Sequence, residues 1–304
     1  MGSISPGPPI PRGNWIPFQS SVFSLQSSVF RFQVSGFRFQ SSGFISRPSP
    51  LVTSPPLPSF SAFEWSIAVL AALGIGVSKS GLPGLSLLHV ALFAHLFPGL
   101  QSTGVVLPML IAGDFGAMGL FRRHTQWPHV ARTLPPAVIG VAAGWALMRH
   151  LPDTRFSPVI GGIVLALAAL QVTRDWRPDA WRRVPHTRTF AWTMGLLAGV
   201  TTMLANAAGP VMALYLLAVA LPKQEFLGTA AWFFLLINLI KVPFSAQLGL
   251  ITVPTLAFNA LLLPAIAAGL LLGRAVMNRL PQRAFDTLVL AFAVLASLRL
   301  IGLV

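Results

Sequence analysis

The feature that most constrains this chain is the series of long apolar segments that fills residues 61–304. A helix rises 1.5 Å per residue, so about 20 apolar residues cross the hydrocarbon core of a bilayer. Hydrophobic residues make up 54% of the chain and charged residues only 9%, whereas an ordinary soluble domain has about 25% charged residues. Such a chain cannot cover a water-facing surface, and its composition predicts an all-α membrane protein.

Ten apolar segments can be distinguished after residue 60. Glycine and proline within them do not argue against helices, because neighbouring helices in a membrane bundle can satisfy the freed backbone groups. We therefore predict a polytopic helical bundle in residues 61–304. The segments cover approximately residues 63–78, 82–97, 102–121, 129–148, 157–173, 189–205, 209–221, 225–248, 254–276 and 284–303.

Residues 1–60 differ from the rest of the chain. A seven-residue unit rich in Phe, Gln and Ser recurs between residues 18 and 44, and the segment contains four arginines and no acid. The Ser, Gln and Gly content and the flanking prolines argue against a coiled coil, and no continuous apolar stretch indicates a secretory signal. We predict a disordered, low-complexity extension; an organellar transit peptide is the alternative.

The charges of the connections indicate an orientation in the membrane. Three connections, at residues 122–132, 174–188 and 274–283, are rich in arginine and lie on one side if every segment crosses. The connections at 98–101 and 249–253 carry no charge. The positive-inside rule therefore places both ends of the bundle outside. This distribution also explains the net charge of +14 without nucleic acid as a partner.

The two halves of the bundle resemble each other in layout. Repeat one covers about residues 63–173 and repeat two about 189–303, and each has a break of small residues followed by proline, at 79–84 and 206–211. Because each half contains an odd number of segments, the two halves would have opposite orientations. The sequence thus predicts two inverted repeats with short broken segments at the centre, an architecture common in secondary transporters.

The two breaks are the best place to expect a binding site. Pro83 and Pro210 suit the first turn of a helix, where free backbone N–H groups and the helix dipole attract anions. Gly81, Gly84 and Gly209 let a ligand approach the backbone closely. Two such helix N-termini near mid-membrane would hold a small oxyanion; ordinary short interhelical turns are the alternative.

Charged and amide side chains near the breaks complete the predicted site. Lys79 could pair with an anion or extend to the interface, and Lys241 has the same two possibilities. Asp114 is the acid well inside a segment, which makes it a candidate for proton coupling or a structural partner of Lys79. The predicted substrate-binding residues are Lys79, Ser80, Gly81, Pro83, Gly84, Asn206, Gly209, Pro210, Asn238 and Lys241.

Other chemistries lack the residues they require. The chain has no cysteine, and its six histidines do not show the spacing of a metal site, so neither a metal nor another cofactor is expected. No phosphate-binding loop of a primary pump is present. An intramembrane enzyme would need facing catalytic groups, for which Asp114 with His89 or His95 would be the nearest set.

Several motifs together resemble the sulfite exporter (TauE/SafE) family. They are the glycine-rich stretch 74–84, the segment 104–114 with the basic turn 122–124, and the second-half stretches 206–211, 228–234 and 238–243. The resemblance implies a multi-pass carrier of the bacterial inner (plasma) membrane, not an enzyme, that moves sulfite, organosulfonates or related small organic acids. An anion channel is the alternative. Ser78-Lys79-Ser80-Gly81 and Asn206-Ala207-Ala208-Gly209 depart from the glycine triplets common in the family, which leaves the substrate open.

Overall fold

A computed structural model describes residues 60–81, 85–97, 99–152, 155–176 and 187–276, together with the single positions 294, 298 and 303. The predictions for residues 1–59 and for the tenth apolar segment therefore lie outside the described residues, apart from those single positions. So do the predictions for Pro83 and Gly84.

The described residues form nine α-helices and no strand, which confirms the all-α fold. The helices follow the first nine apolar segments closely, and the basic turn Arg122–His124 is a single 3-10 turn after the third helix. The helices are α1 Ala62–Lys79, α2 Ser86–Leu96, α3 Gln101–Phe121, α4 Trp127–His150, α5 Phe156–Trp176, α6 Arg188–Ala205, α7 Ala208–Ala218, α8 Lys223–Gln247 and α9 Val253–Val276.

Five of these helices, α1, α3, α4, α8 and α9, are long and apolar enough to cross a membrane. Helices α2 and α7 have 11 residues each, shorter than the segments predicted there. At 1.5 Å per residue each is about 16 Å long, roughly half the hydrocarbon thickness. Both are almost entirely buried in the bundle.

Each short helix follows a sharp turn in the chain. Helix α6 ends at Asn206, whose φ of +53° is left-handed and whose N–H bonds back to the carbonyl of Thr202. Helix α7 begins two residues later, with Pro210 in its first turn, where a missing N–H is harmless. After α1, Gly81 has a φ of +121°, a conformation that only glycine adopts easily.

Helices α4 and α6 pack side by side at backbone distance. Gly195 lies against the carbonyl of Thr133, and Gly199 lies against that of Ala137, so the residue numbers rise together and the helices run parallel. Small residues spaced in this way allow membrane helices to approach closely. A Cβ at Gly199 would stand 2.0 Å from the Ala137 oxygen, which leaves no room for any side chain.

Helices α1 and α9 form a second parallel pair of the same kind. A Cβ at Gly76 would stand 2.1 Å from the Ile266 oxygen, and one at Gly269 would stand 2.2 Å from the Leu73 oxygen. Each close pair therefore joins a helix from the first half of the sequence to one from the second.

Helices α3 and α8 cross the centre in antiparallel order. Gly104 of α3 lies against Leu250, just beyond the end of α8, while Gly228 of α8 lies against Phe121 at the end of α3. Midway between these contacts, the side chains of Asp114 and Asn238 are hydrogen-bonded. The middle of both long helices therefore carries polar side chains.

The α4–α6 contact gives a direct test of the packing. Replacing Gly199 with alanine places a methyl group against the Ala137 carbonyl, and overpacking of this kind typically costs about 1–3 kcal/mol. We expect a lower midpoint of thermal unfolding for the purified protein in detergent. Gly162→Ala is the matched control, because nothing lies within 4 Å of a Cβ there. An unchanged midpoint for Gly199→Ala would contradict the close packing.

Candidate functional site

A cavity with about 750 Å³ of empty space lies between the two chain breaks. Helices α1, α2, α3, α6, α7 and α8 all contribute to it. Most of the wall is apolar, as in small-molecule sites whose few polar groups fix the ligand. The polar side chains in the wall belong to Ser78, Lys79, Ser86, His89, Thr202, Asn206 and Asn238.

Lys79 enters the cavity from the end of α1 and is held by two neighbours. Its ammonium lies 2.5 Å from Asp114 Oδ1 and 4.6 Å from the ring centroid of Phe234, which also lines the cavity. Asp114 is fully buried and accepts a second bond, 2.7 Å long, from the amide of Asn238. Asp114 is not among the residues that line the cavity. Its carboxylate lies behind the wall, where it is paired with Lys79 and Asn238.

Lys241 lies behind the second break and is 2% exposed. Its ammonium donates to the backbone oxygen of Thr202 at 2.7 Å, to that residue's hydroxyl at 3.2 Å and to Asn206 Oδ1 at 2.5 Å. The Asn206 amide in turn donates to the carbonyl of Thr103 at 2.9 Å. This chain of bonds ties α8, the end of α6 and the start of α3 together, so Lys241 positions Asn206 in the cavity wall.

The buried charges near the cavity do not cancel. Lys79 and Asp114 form a neutral pair, whereas the bonds of Lys241 go to uncharged oxygens only. With both lysines protonated and Asp114 ionised, the described surroundings of the cavity carry one net positive charge. In that protonation state an anion in the cavity would balance the charge, since an unbalanced charge in a membrane interior is costly.

The start of α7 adds to this preference. Ala208 and Gly209 line the cavity, and no side chain caps the N-terminus of their helix. The first N–H groups of a helix lack partners within it and carry the positive end of the dipole. They lie in the same wall as the Lys79 side chain, so an oxyanion in the cavity has both a cation and backbone donors available.

His89 lines the cavity although it is not among the substrate-binding residues predicted from the sequence. It lies on α2, is 1% exposed, and neither ring nitrogen has a well-aligned hydrogen-bond partner within the described residues. The Oδ1 atom of Asn238 is likewise buried without a partner there. Buried polar groups are normally hydrogen-bonded, so these atoms are available to bind a ligand in the cavity. A histidine within an apolar segment was the available sequence signal.

Of the predicted substrate-binding residues that the structure describes, five line the cavity, whereas Ser80, Pro210 and Lys241 do not. Asp114 and Lys241 are buried behind the wall. Ser80 packs against Gly273, and Pro210 is buried within α7. Pro83 and Gly84 lie outside the described residues. The five in the cavity wall are Lys79, Gly81, Asn206, Gly209 and Asn238.

Within the described residues, Asp114 is not hydrogen-bonded to His89 or His95, the set named for the enzyme alternative. Asp114 bonds to Lys79 and Asn238, His95 is exposed, and the ring of His89 is not hydrogen-bonded to the carboxylate. Within the described part of the chain, no group of three or more His, Cys, Asp or Glu side chains could hold a metal ion.

Comparison with known proteins agrees with the motifs. The family model for the sulfite exporter TauE/SafE matches residues 68–300, well over half of the chain. No curated protein and no solved structure gave a match. The match spans all nine described helices except the first residues of α1, and it confirms the resemblance inferred from the sequence. The chain therefore belongs to the sulfite exporter TauE/SafE family of membrane transporters.

Proposed function

We propose that this protein is a secondary transporter of small anions such as sulfite, organosulfonates or related organic acids, and that the central cavity is its substrate site. The Lys79 ammonium and the uncapped N-terminus of α7, which line the same cavity, carry the proposal. Lys79 binds the anionic group, while the first N–H groups of α7 and the His89 ring bind its oxygens. The apolar wall surrounds the rest of the substrate.

The packing of the helices supports an inverted repeat. If helices α1 to α5 correspond to α6 and the segments after it, then α1 matches α6, and α4 matches α9. The α1–α9 contact then corresponds to the α6–α4 contact, and the antiparallel crossing of α3 and α8 lies on the symmetry axis. Asp114 and Asn238 occupy matching positions at this crossing. A binding site between two such repeats can open to either side as the halves move, which is the usual basis of alternating access.

The cell inner membrane is the location we propose. Helices α4 and α6 run parallel, so Arg132 in the second turn of α4 and Arg188 at the start of α6 lie toward the same side of the bundle. By the positive-inside rule this side is cytoplasmic.

Flux measurements in proteoliposomes test the substrate site. We expect saturable uptake of at least one labelled anion from a panel of sulfite, sulfonates and carboxylates, and its loss on replacing Lys79 with glutamine. Removing one partner of a buried charge pair typically costs about 2–5 kcal/mol, which corresponds to at least about a thirtyfold loss of apparent affinity. Lys223→Gln is the matched control, because Lys223 is exposed and outside the cavity.

Two results would count against the proposal. Flux no greater than that of empty vesicles for every anion in the panel would remove the transport function. Equal flux in the Lys79→Gln and Lys223→Gln variants, with both proteins folded, would remove the cavity as the site.

A further inference from the structure

A second pocket lies near the starts of α4 and α6, beside the end of α7, with about 460 Å³ of empty space. It shares no residue with the central cavity. We call it the arginine pocket, and it is lined by His129, Arg132, Thr187, Arg188, Ala191, Tyr215 and Val219.

Two arginines of neighbouring helices define the charge of the arginine pocket. Arg132 is on α4 and Arg188 begins α6, and because these helices are parallel both side chains lie on the same face of the protein. Neither forms an ion pair with an acid among the described residues. Arg132 is close enough to act electrostatically on the hydroxyl of Tyr215. The pocket is therefore positively charged.

The arginine pocket has a fixed aromatic wall, which a simple row of surface arginines would lack. Tyr215, the single tyrosine of the chain, is 2% exposed, and its hydroxyl lies 2.9 Å from His129 Nδ1. Its ring also packs against Phe190, with 5.9 Å between centroids. The Tyr215 hydroxyl is held in place by His129, so the pocket has a fixed polar group in its wall in addition to its two arginines.

The N-terminus of α6 contributes further positive potential. The Thr187 hydroxyl accepts a hydrogen bond from the N–H of Phe190 and so fixes the first turn of the helix at the pocket. The dipole of α6 therefore has its positive end at the same place as the two arginines.

We propose that the arginine pocket binds a phosphate-type oxyanion between Arg132 and Arg188. The planar guanidinium group matches the oxygens of a phosphate in a paired arrangement, which makes arginine the preferred residue for this recognition. The anion could be part of a lipid headgroup or free inorganic phosphate, and both present the same oxygens. This site is separate from the substrate cavity, so its test does not depend on the proposed transport function.

Binding of two probes to the full-length purified protein tests the proposal. One probe is phosphatidylglycerol, compared with phosphatidylcholine in nanodiscs, and the other is inorganic phosphate. We expect Arg132→Gln and Arg188→Gln each to weaken binding about fivefold, the equivalent of about 1 kcal/mol for one basic side chain near a membrane surface. Arg123→Gln is the control, because Arg123 is exposed and lies outside the pocket, and this substitution removes the same charge.

The two probes distinguish the source of the anion. Selective loss of phosphatidylglycerol binding in the two variants supports a lipid headgroup, and selective loss of phosphate binding supports a free anion.

The proposal is overturned if Arg132→Gln and Arg188→Gln bind both probes as the unchanged protein does, or if Arg123→Gln loses as much binding as they do. If a glutamine variant does not elute as a folded species, Arg132→Lys and Arg188→Lys serve instead, with retained charge but without the paired geometry.

Discussion

Replacing Asp114 with asparagine is expected to destabilise the bundle by about 3–5 kcal/mol, the usual cost of breaking a buried ion pair from one side. The substitution preserves shape but leaves the Lys79 ammonium without its carboxylate in a protein interior. The double variant Lys79→Met with Asp114→Asn removes both charges, and we expect it to recover most of the loss. Thermal unfolding of the four proteins of this cycle in one detergent measures the coupling between the two residues.

The same variants test whether Asp114 carries protons during transport or only forms an ion pair with Lys79. If Asp114 carries protons during transport, the folded fraction of Asp114→Asn will show flux that no longer responds to a proton gradient. If Asp114 only neutralises Lys79, the gradient response will persist in that fraction. A double variant no more stable than Asp114→Asn would contradict the ion pair itself.

Replacing His89 with leucine is expected to have opposite effects on stability and on transport. The ring nitrogens of His89 are buried without well-aligned partners among the described residues, and an unsatisfied polar group costs about 1–3 kcal/mol. Leucine removes that cost, so we expect an equal or higher unfolding midpoint. Loss of a hydrogen bond to a charged substrate costs about 1.5 kcal/mol or more, so the apparent affinity in flux assays should fall at least about tenfold.

His95→Leu is the matched control for this experiment, since His95 lies on the same helix but is exposed. It should leave substrate affinity unchanged. A His89→Leu protein that loses stability and keeps its affinity would show that the ring has a structural role, and it would remove His89 from the proposed site.

Much of the fold was accessible from sequence because lipid permits few solutions. Every backbone group must be satisfied within the protein, so apolar segment lengths and breaks translate almost directly into helices. The nine described helices follow the first nine predicted segments for this reason. The breaks at 79–84 and 206–211 likewise indicated where a cavity would form, since small residues and prolines there have few other uses.

The division of roles among the polar residues was not accessible from sequence. Lys79 and Lys241 look equivalent as lysines within apolar segments, yet one lines the cavity and the other fixes Asn206 from behind. That difference depends on which helices are neighbours and on their rotation, neither of which is encoded locally. His89 was not predicted as a substrate-binding residue for the same reason, because only the packing of α2 shows that its ring nitrogens lack well-aligned partners among the described residues.

The glycine contacts also bear on how the chain matures during synthesis. Each close parallel pair joins a helix to one that is synthesised later. Helix α1 cannot pack against α9, nor α4 against α6, until the later helix has been made. Until α9 has been made, Gly76 of α1 lacks the close backbone neighbour that it has in the finished bundle. The first half of the chain therefore cannot reach its final packing alone. Two halves made as separate polypeptides would each lack these glycine contacts until they met in the same bilayer.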